Sequence, residues 1–441
     1  MKNIWFVGIG GIGMSALASY YLSKGRSVSG YDRAESPITE NLQAKGANIT
    51  NIEDFSFIED CAIEADNTLV IYTPALSKDS YYLKYFIENN FSLYKRSEIL
   101  GQISSETFCL AVAGTHGKTT TSSILAHIFT VANTGAYSFL GGLSTNYNSN
   151  YIEGNQDVSI VEADEFDRSF LRLSPNMACI TTMDPDHLDI YGTSEAFEES
   201  FRDFASLVEG VLLVRKGIAI PGVTYGVEGE NADYELSNVK IIDGCYHFDV
   251  IGGLLDYRDL RFSLPGEHNL LNALAAIGLA DQYGISKQDI SKALESYKGV
   301  ERRFSTRINN EDLVLIDDYA HHPTEIEALL QALRSFYPKE KITGIFQPHL
   351  FSRTKDFVKD FARVLSGFDD LYLMDIYPAR EAPIAGVNSS WLMNMIEDTD
   401  VKLLAKNSFH KAISDRKSRV VACFGAGDIG ELIKSYYEEG I

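Results

Sequence analysis

Residues 114–121 read GTHGKTTT, and the reading of this stretch decides the fold. The common nucleotide-triphosphate loop is G-x-x-x-x-G-K-[ST], with its first glycine five positions ahead of the second. Here Gly117 is the second glycine, Val112 stands where the first belongs, and Gly114 is only three positions away. The flanks still have the form of a phosphate loop, because a strand-like FCLAVA (108–113) precedes it and a helix-like SSILAHIF (122–129) follows. Consecutive N–H groups at Gly114, Thr115, His116 and Gly117 are then expected to wrap a phosphate of ATP. Lys118 is expected on the β- and γ-phosphates, Thr119 on Mg²⁺, and Thr120 beside them in the first helical turn. A structural turn followed by a chance Lys-Thr is the alternative.

A magnesium ion needs hard oxygen ligands. Working outward, VSIVEADEFDRS (158–169) is an apolar strand ending in Glu162, Asp164 and Glu165. ACITTMDPDHLDIYG (178–192) is a second, whose end carries Asp184, Asp186, His187 and Asp189. Acidic strand ends are often only solvated turns, and a lone histidine is more often structural than a ligand. Behind a phosphate loop the two clusters read as a metal shell.

A second glycine loop opens the chain. Gly8, Gly10 and Gly13, with Gly11 among them, satisfy G-x-G-x-x-G directly after the strand IWFV (4–7), and Asp32 ends the next strand. The pattern fits a diphosphate at a helix N-terminus, either of a dinucleotide or of another ligand, with a plain turn as the third possibility. A third loop, FGAGDIG (424–430), reads as structural support in a Rossmann-like C-terminal domain.

The 441 residues exceed what one core usually supports. Short β-branched runs alternate with helix-period stretches, the rhythm of an α/β chain with mostly parallel sheets. That rhythm restarts near 108 and 313, so three domains are expected: 1–106, 107–302 and 303–441. The net charge of −22 disfavours nucleic acid or an anionic membrane as partner. Five scattered cysteines without a C-x-x-C pair point to a reduced, cytoplasmic protein. Apart from the glycine-rich start, no stretch has the length of a membrane span. No pattern fixes an oligomeric state.

GIGGIGMSALA (8–18), AGTHGKTTT (113–121), EADEFDRSF (162–170), DPDHLDIYG (184–192), GEHNLLNALAA (266–276), ERRF (301–304), DDYAHHPTEI (317–326) and FQPHLFSRT (346–354) follow one another across nearly the whole chain. In that order they resemble the Mur ligase family. The shortened A-G-T-H-G-K-T loop is similar to the form this family uses. The resemblance implies a Rossmann-like N-terminal domain holding UDP-N-acetylmuramate, a central P-loop ATPase-type domain, and a Rossmann-like C-terminal domain receiving the amino acid, L-alanine. It implies Gly8–Gly13 and Asp32 on the nucleotide sugar, and Glu162 and His187 with Thr119 on Mg²⁺. His268 and Asn272, four apart on one helix face, are implied near the adenine.

The resemblance further implies Arg303 on the γ-phosphate, with Arg302 left open by spacing, and Asp318 meeting ATP from the third domain. His321, His322, His349 and Arg353 are implied near the amino acid and the muramyl carboxylate. Leu350 occupies a place where relatives often carry arginine. A hinge is expected at 302–304. Several branches of the family resemble one another in using a carbamoylated lysine, yet 187–215 holds none, which leaves Glu195, Glu198 or Glu199 as substitutes. Two rival readings are a ligase that attaches a preformed peptide and a nicotinamide oxidoreductase built on Gly8–Gly13 and Asp32. The latter leaves the second loop unexplained.

Overall fold

The computed structural model describes residues 2–61, 63–73, 80–184, 188–252, 255–379, 381–397 and 399–439. Three sheets carry the chain. The first is parallel, with strands β1 (Asn3–Val7), β2 (Ser27–Tyr31), β3 (Asn48–Thr50), β4 (Thr68–Tyr72) and β5 (Ser92–Lys95) in the order 3-2-1-4-5. The direction of winding reverses at β1, and in open α/β sheets such a reversal leaves a crevice at the carboxyl ends of the strands. Gly8–Gly13 follow β1 into the helix Ile12–Ser23.

The second sheet is built around β6 (Phe108–Ala113), which is flanked on one side by β9 (Val158–Glu162) and on the other by β10 (Met177–Ile180), all parallel. β7 (Tyr137–Ser144) and β8 (Ser149–Ile152) extend it beyond β9. β11 (Leu212–Arg215), β12 (Val223–Val227), β13 (Tyr234–Ile242), β14 (Cys245–Gly252) and β15 (Leu255–Phe262) extend it beyond β10. β6 is apolar along its length, as a strand covered on both faces must be. The helix Lys118–Val131 that follows is buried on every side from Thr119 to Phe129.

The third sheet has the order β16 (Ser305–Asn309), β17 (Val314–Asp318), β21 (Val420–Phe424), β18 (Ile342–Phe346), β19 (Asp370–Met374), β20 (Asp400–Leu404). Only β16 is antiparallel to its neighbour. β21, last in sequence, pairs between β17 and β18 and so brings the ends of three distant strands side by side.

The three α/β domains form two compact units, one of Met1–Val239, Phe248–Arg261 and Leu271–Lys298, the other of Lys240–His247, Phe262–Leu270 and Gly299–Ile441. Within the first, the helix Ile12–Ser23 packs its buried Met14, Leu17 and Ala18 into a core shared with Tyr137, Phe139 and Tyr151 of β7 and β8. Ser23 Oγ lies 3.0 Å from the Tyr151 hydroxyl, and Asn150 donates to Ile12 O at 2.6 Å. Burying a Leu-sized side chain is worth about 1.5–3 kcal/mol, so this shared core joins the first two sheets firmly. The core of the second unit centres on Leu315, Ile345, Met374, Cys423 and Ile433. All five cysteines are free. No helix among the described residues is long and apolar enough to cross a membrane.

Candidate active site

The loop after β6 owes its shape to two glycines. Gly114 has φ +138°, and a Cβ there would lie 2.0 Å from Thr181 Oγ1. Gly117, at φ +82°, caps the helix Lys118–Val131 in the left-handed region, and a Cβ there would meet the Asn272 Oδ1 at 2.4 Å. Thr115 donates its N–H to Thr182 O at 3.2 Å and its hydroxyl to Asp184 O at 2.7 Å. The N–H of His116 reaches Thr182 Oγ1 at 2.8 Å. The loop is therefore held by the segment that follows β10. The first-turn N–H groups of the helix point from it, as at any helix start.

Lys118 folds back over this loop, donating to Gly114 O at 2.6 Å and Thr115 O at 3.3 Å, and its ammonium is 2.7 Å from Glu165. Burial works against its charge, but Glu165, Glu162 and Asp164 outweigh burial and raise its pKa. Burial pushes Glu165 upward as well, against the pull of Lys118. At 2.7 Å the pair is ionic, and the direction on Lys118 governs.

The acids at the end of β9 divide their work. Glu162 accepts from the Thr119 hydroxyl at 3.2 Å and from Gly141 N at 3.0 Å, Asp164 pairs with Arg96 at 3.1 Å, and Glu165 takes Lys118. Thr119 and Glu162 thus form a pair of hard oxygen donors suited to Mg²⁺. His187, expected as a third ligand, and Asp186 lie outside the described residues. Among the described residues no three His, Cys, Asp or Glu side chains converge on one point. Glu198 and Glu199 are tied to Arg202 at 2.9 and 2.8 Å on a helix surface, and Glu195 is exposed. The carboxylate that reaches the loop lysine is Glu165. Sequence spacing also gave no hint of Gly141, whose missing side chain makes room for Glu162.

In the N-terminal loop Gly8 has φ +87° and donates to Tyr31 O at 2.8 Å. Asp32 turns its carboxylate onto the Gly10 N–H at 2.7 Å. The space beside Gly10 belongs to Asp32 and Thr39, and the space beside Gly13 to Arg96, whose Cδ and NH1 lie 2.8 Å from a Cβ built there. Gly11 is the N-cap of the following helix. Arg96 escaped the sequence reading, since 83 positions separate it from Gly13 and no motif spacing links them.

His268 and Asn272 share a face of the helix Glu267–Tyr283, yet their neighbours differ. Asn272 sits against Gly117. His268 lies against Gly266, and desolvation and the Arg303 charge hold its pKa below the usual range.

In the second unit Arg302 and Arg303 have different partners. Arg302 binds Asp317 at 3.3 Å and the carbonyls of Gly425 and Gly427. Arg303 is more exposed, stacks over Tyr319 at 5.3 Å and stands 3.8 Å from Glu325. Both neighbours of Arg303 are strained, with φ +60° at Arg302 and +48° at Phe304. Asp318 fastens this segment by accepting from Phe304 N and Ala320 N, both at 2.7 Å. Desolvation pushes Asp318 up to about 6 against Arg303 and those N–H groups.

His321, His349 and Arg353 gather together. The rings of His321 and His349 are 5.9 Å apart, and His349 Nδ1 lies 3.4 Å from Arg353. His321 Nδ1 lies 2.8 Å from Tyr319 O and 3.2 Å from Glu325, two acceptors, so Nδ1 carries the hydrogen and Nε2 is left as a base. Burial, aided by Arg353, lowers the pKa of His321. Burial, His321 and Arg353 hold His349 at about 4. His322 caps the helix Pro323–Phe336 and packs on Phe357. Leu350 adopts φ +72° at a helix start, and the adjoining Ser352 is held by Glu381.

The glycine loop 424–430 is filled by protein, as its structural reading anticipates. Gln347 accepts from Ile429 N at 2.9 Å and donates to Asp428 at 2.7 Å, and a Cβ on Gly425 or Gly427 would collide with it.

Comparison with known proteins places this geometry. Residues 3–107 match the profile described as Mur ligase family, catalytic domain, 112–280 the Mur ligase middle domain, and 302–428 the Mur ligase glutamate ligase domain. A protein of Flavobacterium psychrophilum named UDP-N-acetylmuramate–L-alanine ligase is 50% identical over 442 residues, covering 100% of this chain and 98% of its own. One of the same name from Christiangramia forsetii is 48% identical, covering 98% and 96%. The crystal structure of a UDP-N-acetylmuramate–alanine ligase from Thermotoga maritima aligns with TM-score 0.86 at 30% identity, covering 100% of this chain and 99% of that one. A murein peptide ligase from Psychrobacter arcticus, at 20% identity and TM-score 0.71, shares the fold. The order of the loops, the three sheets and these full-length matches agree, and the chain belongs to the Mur ligase family.

Proposed function

We propose that this protein joins L-alanine to the lactyl carboxylate of UDP-N-acetylmuramate at the expense of ATP, a step of peptidoglycan precursor synthesis. The observation that carries the reading is full-length identity of about half to ligases of that name, with the phosphate loop intact around Lys118. A free carboxylate is a poor acyl donor. Its oxygen attacks the γ-phosphorus, the bond to ADP breaks, and an acyl phosphate forms. The amine of L-alanine then attacks the acyl carbon, phosphate leaves, and the amine gives up a proton.

Lys118 exchanges the Gly114 and Thr115 carbonyls for phosphate oxygens, and Arg303 neutralises charge on the transferred group. Gly114, Thr115, His116, Gly117, Thr120, Asn272, His268 and Asp318 complete the proposed ATP site. Thr119 and Glu162, with His187, would hold Mg²⁺, which supplies charge neutralisation at the phosphates. Gly8, Gly10, Gly11 and Gly13 face the nucleotide sugar. His321 Nε2, neutral and lone-pair-bearing, accepts the proton from the amine, and Arg353 holds a carboxylate beside His349. His322 supports the loop as a cap. The protein is proposed to act in the cytoplasm, where ATP and reduced cysteines coexist.

Phosphate release from ATP in the presence of UDP-N-acetylmuramate tests the reading. L-alanine should stimulate it strongly and a stem tripeptide weakly. The reverse preference would assign the chain to peptide ligation, and NADH binding by fluorescence would overturn both.

A further inference from the structure

We infer that Arg96 is a positioning residue that couples the nucleotide-sugar loop to the phosphate loop. The inference rests on the function proposed above, which places an anionic nucleotide sugar at Gly8–Gly13. Arg96 opens the helix Arg96–Ser105 after β5, and its guanidinium packs on the backbone of Gly13, in the first turn of the helix that ends the N-terminal loop. Its other end donates to Asp164 at 3.1 Å. Asp164 stands between Glu162, which holds Thr119, and Glu165, which holds Lys118, and it is one of the three charges acting on Lys118. One cation therefore touches the first loop and the acid cluster of the second, in the same compact unit.

The electrostatic need is plain. A chain of net charge −22 that binds a diphosphate must place a cation at the loop, and the acid already there, Asp32, faces the Gly10 N–H. Arg96 is mostly buried, and its planar fork has donors enough for Asp164 and a phosphate oxygen together. A diphosphate on the first loop draws charge from the Arg96–Asp164 pair, and the field of Asp164 on Lys118 changes with it. Linkage requires the effect to be reciprocal. Gly13 is accordingly a glycine because Arg96 occupies its side-chain space.

Calorimetry on the full chain tests this with UDP-N-acetylmuramate and a non-hydrolysable ATP analogue, each alone and then each in the presence of the other. Arg96→Ala should weaken sugar-nucleotide binding about tenfold or more, the scale of a charge-assisted contact, and the sugar nucleotide should no longer change the affinity for the ATP analogue. Arg96→Lys should recover part of the loss. Asp164→Asn should bind the sugar nucleotide within about threefold of wild type but no longer let it change the affinity for the ATP analogue. Lys95→Ala, which removes the adjacent exposed pair with Asp167, should change neither. Wild-type affinities in Arg96→Ala, or equal loss of both ligands in Arg96→Ala and Arg96→Lys, would overturn the inference alone. Failure of the wild-type protein to bind UDP-N-acetylmuramate would overturn it together with the proposed function.

Discussion

The phosphate loop after β6 and the glycine loop after β21 have the same outline, a parallel strand, a glycine at positive φ directly after it, and a helix. Their interiors differ. In the C-terminal loop the partners come from other segments of the fold, with Gln347 bonded at both ends of its amide and Arg302 holding the carbonyls of Gly425 and Gly427. In the phosphate loop the occupant is the loop's own Lys118, a charge on a flexible stem that can trade carbonyls for phosphates. A glycine loop is a ligand site when what fills it can leave.

The sharpest way to break this contrast is Lys118→Ala. Turnover should fall about 10³-fold or more while UDP-N-acetylmuramate binding stays within about twofold, measured by phosphate release and calorimetry. Equal loss of both would mean the loops have been misassigned.

Gly117→Ala should follow, with the Michaelis constant for ATP rising about tenfold or more, because left-handed φ and the Asn272 contact both resist a methyl group. An unchanged constant would show that the loop tolerates the strain.

The C-terminal loop should respond in stability instead. Gln347→Leu leaves the Ile429 N–H without its partner and takes one of two partners from Asp428, which keeps Lys406, and should cost about 1–3 kcal/mol by denaturant unfolding, with the constant for ATP unchanged. A large change in ATP affinity would make that loop a ligand site after all.

The helix behind the phosphate loop carries a buried histidine, and the helix Ile429–Glu439 carries none. His127 bonds Tyr147 and Ser296, and burial holds it at about 4. With its folded pKa below the ordinary value, the unfolded chain takes the proton first. Stability is full above about 6.5 and is lost as pH falls toward about 4, by about 2–3 kcal/mol. His127→Gln should flatten that part of the pH–stability curve, and an unchanged slope would assign the acid loss elsewhere.

The smallest expected effect is none. With no lysine between 187 and 215, and Glu165 beside Lys118, activity should be the same in bicarbonate-free and bicarbonate-supplemented buffer. A bicarbonate-rescued loss of rate would bring in a lysine such as Lys216.

Much of the fold could be read from the chain itself. Alternating apolar runs and helix periods gave the α/β class, and each glycine loop lies between a strand and a helix where the local pattern put it. The order of strands could not be read, because β21 enters between β17 and β18 only when residues about 80 and 100 positions apart pair. The shared core of the helix Ile12–Ser23 with β7 and β8 has the same origin, since each element by itself shows only an apolar face in need of cover.

For the site, the sequence by itself determined the residues whose role is local: Gly114 and Gly117 through backbone conformation, and Lys118 and Thr119 through their place in the first helical turn. Tertiary structure alone decided the pairings. Three acids at one strand end, equivalent in sequence, were assigned to Thr119, Arg96 and Lys118. Arg302 was committed to the glycine loop while Arg303 stayed accessible, and His322 became a cap while His321 kept a basic nitrogen. The reason is physical: backbone conformation is set by neighbours a few residues away, whereas the partner and burial of a charge are set by whichever distant strand ends beside it.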